Sequence, residues 1–456
     1  MLSRRAFLSA LAASSATTLA RAQSAKELSP TVLRIERRSI EVNGKPASVF
    51  GVRQPDGTFG IRTEVGKRFR VRLENKIDEP SLIHWHGLTP PWQQDGVPGV
   101  SGPPIASGAS ADYDFPLRFG GTFWMHSHQG FQEQLLMASQ LIIRDQRDRA
   151  DQQEVIIMLA DFSFTPPEQI FAELKKSGMA PGMAMDKPDL NDVKYDAFLA
   201  NDRTLADPEV VKVEPGGRVL LRVINSSSMS AFHVDLGALD GELIAVDGFR
   251  TVPVRGRRFP IAVAQRLDIR LVIPRAAAAH PVLALLEGDN KQTGIILRVG
   301  DAPVARISDR ANVASPALTL DLESRLRALE PLKPRKANRV HTLNLTGEMA
   351  GYRWSLNNVS WSKDVPPLPI AQGERVELIF VNQTRMPHPM HLHGHEFQVV
   401  EIDGKRFAGA VRDTVLVPPG RRVVVAFDAN NPGLWALHCH LLYHLEAGMF
   451  TTLRYV

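Results

Sequence analysis

Fourteen histidines occur in the 456 residues. Among them are five His-x-His spacings: His84/His86, His126/His128, His391/His393, His393/His395 and His438/His440. That composition would place only about 0.4 such pairs by chance. On a strand, residues i and i+2 share one face. Each pair therefore offers two imidazoles side by side, a geometry suited to a metal ion. A single pair would read as two solvated surface histidines, but five pairs in glycine-marked positions do not. The HExxH and CxxC spacings of zinc sites are absent.

Cys439 is the only cysteine, so no internal disulfide can form. It stands between His438 and His440. With His388, His444 and Met449 it supplies two imidazoles, a thiolate and a thioether, the trigonal donor set of a blue-copper electron-transfer site. Cys439, His444 and Met449 all fall within HCHLLYHLEAGM, a segment short enough to reach one ion. By strand alternation His438 and His440 point one way and Cys439 the other. Cys439 can then hold one metal while its covalent neighbours hold others, which makes a short bonded path for electrons.

The elements that must position these residues repeat. Gly66, Arg68 and Asn75, then Gly216, Arg218 and Asn225, then Gly373, Arg375 and Asn382 punctuate three β-rich runs at identical offsets. Each copy reads as a turn glycine followed by a strand. The first leads to His84-Trp85-His86-Gly87, the third to the segment His388–His395, and the second only to His233. A second element repeats as well: Gly121 precedes His126 and Gly433 precedes His438 by five residues. The expected architecture is all-β, three consecutive Greek-key sandwiches over 28–148, 153–305 and 335–456. The outer two carry ligands and the middle one is a spacer with an insertion at about 165–200. Gln134–Ala138 and Pro167–Lys176 are the expected short helices.

The first 22 residues read separately. Ser3-Arg4-Arg5-Ala6-Phe7-Leu8 is a twin-arginine pattern, followed by an apolar stretch and Ala20-Arg21-Ala22, an A-x-A cleavage signal. This predicts export to the periplasm of a chain folded around its cofactor. The net charge of +5 includes Arg4, Arg5 and Arg21, leaving about +2 after cleavage. That excludes a nucleic-acid footprint, and no other apolar run is long enough for a membrane span.

The motifs HWHG, HSH, HPMHLHGH and HCHLLYHLEAGM, in this order, resemble those of the multicopper oxidases, the group of laccases, ascorbate oxidase and bacterial cuprous oxidases. The resemblance covers the whole mature chain, and the last motif and leader look most like bacterial copper-resistance oxidases. It implies three cupredoxin-like domains, usually in a monomer, and copper as cofactor. It assigns His388, Cys439, His444 and Met449 to a type 1 copper, and His84 and His391 to a type 2 copper. His86, His126, His128, His393, His438 and His440 go to a type 3 pair. One-electron oxidation of a small reductant is then coupled to reduction of O2 to water. Asp95 occupies the family's proton-donating position; as a plain structural residue it would be the Asp of an Asp-Gly turn. Several relatives place an acid directly after the second type 1 histidine. Here Leu445 stands there and Glu446 follows, which puts that second relay in doubt. His395 is expected to orient ligands from outside, His233 to be a core residue, and His280 and His341 to be ordinary surface or turn residues.

The reductant stays open between phenolic compounds and Cu(I). Met179, Met183 and Met185 in the insertion, and Met386 two residues before His388, are candidate soft ligands for Cu(I). They serve equally as gap-filling side chains. In the cuprous oxidases an acid accompanies that last methionine, whereas Thr384 stands here. The competing function is a copper-binding, tolerance-conferring protein of the same fold with little turnover.

Overall fold

The computed structural model describes residues 29–145, 151–176 and 190–456. The leader and Met179, Met183 and Met185 lie outside the described residues.

Each repeated segment is a strand: Arg68–Asn75, Arg218–Asn225 and Arg375–Asn382. The glycines that precede them, Gly66, Gly216 and Gly373, have φ of 84°, 75° and 84°, a conformation costly for residues with a Cβ. The closing asparagines repeat one task. Each side-chain carbonyl accepts the N–H two residues on, that of Ile77, Ser227 or Thr384. Each amide donates to two further carbonyls: Glu79 and Ile105, Ser230 and Ile261, or Met386 and Val417. This Asx turn latches the loop that leads to HWHG in the first copy and to HPMHLHGH in the third.

The strands make three pairs of sheets in chain order. Two four-stranded sheets span residues 31–144, a six- and a five-stranded sheet span 153–299, and a seven- and a five-stranded sheet span 339–455. Where one face meets water the burial alternates: Arg68–Asn75 exposes Arg68 and Arg72 and buries Phe69, Val71 and Leu73. Its middle counterpart is buried throughout after Arg218, because the first sheet pair also packs on it. Arg222 on that strand donates to Thr122 Oγ1 of the first pair at 2.9 Å and pairs with Glu154 and Asp268, which offsets the cost of burying its charge. The first pair has its own apolar core around Phe69, Trp85 and Phe115, whereas the apolar residues of the second and third form one continuous cluster.

Pro167–Lys176 is a helix. Proline suits its first position, Glu168 its positive end, and Lys175 and Lys176 its negative end; Ile170 and Leu174, four apart, are its buried face. Gln134–Ala138 is not a helix. Residues 131–136 form turns, and Ala138 opens the strand Ala138–Arg144. Gln, Leu, Met and Ala all favour helices, but Leu136 has φ of 62°, which stops right-handed winding. Among the described residues no helix is long and apolar enough to cross a membrane.

Candidate metal centres

Three elements of the last sheet pair assemble the cysteine site. His388 opens the strand His388–Leu392, Cys439 ends the strand Leu434–Cys439, and His444 lies in the short helix Leu442–Glu446. Cys439 Sγ lies 3.5 Å from His388 Nδ1 and 3.9 Å from His444 Nδ1, and the two nitrogens are 3.2 Å apart. Met449 is fully buried beside them: its carbonyl accepts the Cys439 N–H, and its own N–H donates to His444 O, both at 3.0 Å. The outward nitrogens are held too. His388 Nε2–H donates to Thr384 Oγ1 at 2.7 Å, and His444 Nε2–H donates to Asp192 Oδ2 at 3.1 Å. Trp354 stacks on His444 with centroids 4.0 Å apart. Met386 is buried on the loop before His388, its carbonyl tied to the Asn382 latch.

Strand pairing builds the second centre. His84 stands opposite His126, and His391 opposite His438. The two strand pairs bring eight buried or nearly buried histidines together between the first and last sheet pairs. His84 Nε2 and His391 Nε2 approach to 3.4 Å, and His86 Nδ1 and His126 Nε2 also to 3.4 Å. His438 Nε2 lies 2.9 Å from His393 Nε2 and 3.2 Å from His128 Nε2. His440 packs against the His86 and His126 rings, at 5.0 Å from each, and its Nε2 has no protein partner.

The outward nitrogens explain this convergence. His84 Nδ1–H donates to the Asp95 carbonyl, His391 Nδ1–H to the Asp413 carbonyl, and His438 Nδ1–H to the Cys439 carbonyl, each at 2.9 Å. His393 Nδ1–H donates to Asp95 Oδ2 at 2.8 Å, His86 Nε2–H to Asp413 Oδ1 at 3.0 Å, and His126 Nδ1–H to the Ser127 carbonyl at 3.1 Å, with Glu133 Oε2 2.7 Å from the same nitrogen. A neutral imidazole carries one proton, so the nitrogens facing inward are bare lone pairs. Burial holds His86, His126, His128, His391, His393 and His440 well below the ordinary histidine range. It holds His438 and His444 at about 3, and it pushes the Cys439 thiol up. A cation between these groups would satisfy the orphaned nitrogens and release the thiol proton. Soft thiolate with imidazoles fits copper at the first centre, and all-imidazole donors fit it at the second.

Cys439 connects the two centres. Its sulfur enters the first, while the rings of its neighbours His438 and His440 enter the second.

Several residues at the centres were not legible in the sequence. Asp192 and Arg266 belong to the middle sheet pair, which supplies no histidine to either centre. Asp192 is buried against His444, also accepts the Tyr352 hydroxyl at 2.7 Å, and is pushed by burial up to about 7. Glu133 is buried, pushed well above the usual carboxylate range by desolvation, and its Oε1 lies 3.9 Å from His440 Nδ1. Their sequence neighbourhoods carry no repeat, and only the fold brings them in. Asp95 follows the short turn Trp92–Gln94 and precedes Gly96, yet it is buried with its carboxylate turned inward. Glu446 stands on the rim of a cavity of about 10 Å³, room for one water, that also touches His128, His440 and Glu133. The cleft of about 330 Å³ around Arg38 and Glu209 has no histidine or cysteine in its lining. His395 Nδ1–H donates to the His393 carbonyl at 3.1 Å, and its Nε2 accepts from the Tyr455 hydroxyl at 2.7 Å. His233 Nε2–H donates to the Pro316 carbonyl, and His280 and His341 lie on strands.

Two such centres on three stacked β-sandwiches define a copper-dependent oxidoreductase. The family described as Multicopper oxidase matches residues 35–148, 153–299 and 334–456. The multicopper oxidase MmcO of Mycobacterium tuberculosis is 30% identical over 432 residues, covering 87% of this chain and 81% of that protein. Copper resistance protein A of Escherichia coli is 27% identical, covering 86% and 87%. The laccase of Botrytis aclada has the same fold, with a TM-score of 0.76 at 21% identity over 94% of this chain and 88% of that one. The multi-copper oxidase of Pseudomonas thermotolerans superposes with a TM-score of 0.73 at 22% identity, over 93% and 98%. This chain belongs to the multicopper oxidase family. It is an oxidase that uses O2, with copper of types 1, 2 and 3.

Proposed function

We propose that His388, Cys439, His444 and Met449 hold the type 1 copper, that His84 and His391 hold the type 2 copper, and that His86, His126, His128, His393, His438 and His440 hold the type 3 pair. The observation that carries this is the position of Cys439, its sulfur among the His388 and His444 nitrogens and its two neighbours in the eight-histidine cluster. When bound, the copper ions accept electrons singly at the first centre and deliver four to O2 at the second. The protein's part is to fix geometry and handle protons. Asp95 holds His393 and His84 and is the acid placed to move protons at its carboxylate. Glu133, at the base of the small cavity, and Glu446, at its rim, flank the route to His440. The domains run over 28–148, 153–305 and 335–456, and the leader directs the chain to the periplasm.

The reductant is Cu(I) as well as phenols. Similarity to copper resistance protein A supports the first and similarity to laccases the second. The test is oxygen uptake by the copper-loaded mature protein with Cu(I) or a dimethoxyphenol, with peroxide monitored. Uptake with both and no peroxide is expected. Uptake with the phenol alone refutes cuprous oxidation, and uptake with neither refutes the oxidase assignment of these residues.

A further inference from the structure

The middle sheet pair contributes one charge to the eight-histidine cluster. Arg266, which opens the strand Arg266–Val272, is completely buried. Its Nε–H donates to the Thr122 carbonyl at 3.1 Å, on the strand that carries His126. Nη1 donates to the Ala264 carbonyl at 3.0 Å and to Asp413 Oδ1 at 2.8 Å. Nη2 donates to the Asp247 carbonyl at 2.9 Å and to Asp413 Oδ2. All five guanidinium protons are used, and their acceptors come from all three sheet pairs.

Asp413 is where this reaches the metal ligands. Its Oδ1 accepts from His86 Nε2–H, and its main-chain carbonyl accepts from His391 Nδ1–H. One residue thus sets which nitrogen of each ring faces inward. A buried carboxylate beside neutral imidazoles needs a fixed opposite charge, and Arg266 is bidentate to it. The fit is close: Gly87, directly after His86, has φ of +86°, and a Cβ there would lie 2.7 Å from both Arg266 Nη2 and Asp413 Oδ2. The charges continue outward through Asp247 and Arg412 to Glu323, all buried.

We propose that Arg266 is a positioning residue for the copper cluster: it locks Asp413 as the acceptor that turns His86 Nδ1 and His391 Nε2 toward the metal. This rests on the assignment of His86 and His391 as ligands. Metal-bound histidines depend on such outer partners, whose loss typically weakens metal binding about 10- to 100-fold. The cysteine site shares no contact with Arg266 and is left intact.

The test compares the copper-loaded full chain with Arg266→Met, Asp413→Asn and the double variant. Type 1 copper is read from the blue absorption, cluster copper from total metal, and cluster affinity from competition with a chelator of known strength. A wild-type protein without cluster copper would refute the ligand assignment itself, whatever the variants do. Given a loaded wild type, Arg266→Met is expected to bind cluster copper about 10- to 100-fold more weakly with its blue band unchanged. The double variant removes the unpaired carboxylate, so it folds even where Arg266→Met does not, and it keeps the weakened cluster. Wild-type cluster affinity in a folded double variant, or in an Arg266→Met protein that has lost only thermal stability, overturns the proposal and leaves Arg266 as an interdomain tie.

Discussion

The cysteine site and the histidine cluster meet at the end of one strand, Leu434–Cys439. The first takes its candidate ligands from residues 388–449, all on one sheet pair. The second takes four histidines from residues 84–128 and four from residues 391–440, so it exists only when the first and last sheet pairs dock. Its outward nitrogens lean on Asp95, Glu133 and Asp413, and through Arg266 on the middle pair as well. The first site is the more local one: Cys439, His444 and Met449 share one short segment, His388 joins them within the same sheet pair, and only Asp192 reaches it from the middle pair. An assembled site reports on every interface that builds it.

The largest expected effect separates the two centres from the electron-entry side. Cys439→Ser abolishes turnover with every reductant and removes the blue absorption, but the cluster keeps its copper, measured as total metal. Persistence of blue colour in this variant would break the comparison. His440→Gln does the reverse: the colour stays and is bleached by reductant, cluster copper is lost, and O2 uptake ceases. If this variant kept normal uptake, the cluster would not be where O2 reacts.

A smaller effect is expected at the acid. Asp95→Asn preserves shape and hydrogen-bond capacity, so copper content and colour should stay near wild type while turnover falls about 100-fold or more, the usual worth of a positioned proton donor. Unchanged steady-state rates would reduce Asp95 to a ligand-orienting turn residue.

The most graded effect is on stability. In the copper-free chain burial lowers the pKa of seven cluster histidines and of His388 and His444 at the cysteine site. Unfolded histidines titrate near 6.5. Below that pH the unfolded state takes up protons that the folded state refuses. Stability is therefore fully present above about 6.5 and is lost as pH falls toward about 3, where His438 and His444 protonate. Each such group adds a slope of about 1.4 kcal/mol per pH unit, and most of them sit in the cluster. Denaturant unfolding of the copper-free protein between pH 8 and pH 5 checks this; a flat profile would show that the cluster histidines are solvated or already displaced.

Much of this was legible in the chain. The His-x-His pairs, the lone Cys439 between two histidines and the three Gly–Arg–Asn repeats stand out as spacings, but the shared strand face expected for each pair does not form: His84, His126, His391 and His438 lie on strands, while His86, His128, His393 and His440 stand just beyond the strand ends, where the chain turns. The Gln134–Ala138 segment was not, because its helix-forming residues are overruled by a turn that brings Glu133 to His126. Asp192 was equally silent: one aspartate in an insertion has no signal until the middle sheet pair packs it on His444.

The sequence by itself determined which residues could ligate and, through the glycine-marked strands, that His84, His126, His391 and His438 end or line strands, since residue type and local turn signals are properties of the chain. Tertiary structure decided which nitrogen of His86, His391 and His393 is left bare. That choice belongs to the acceptor behind the ring, and Asp413 and the Arg266 that holds it reach their places from distant parts of the chain through packing that no local pattern encodes.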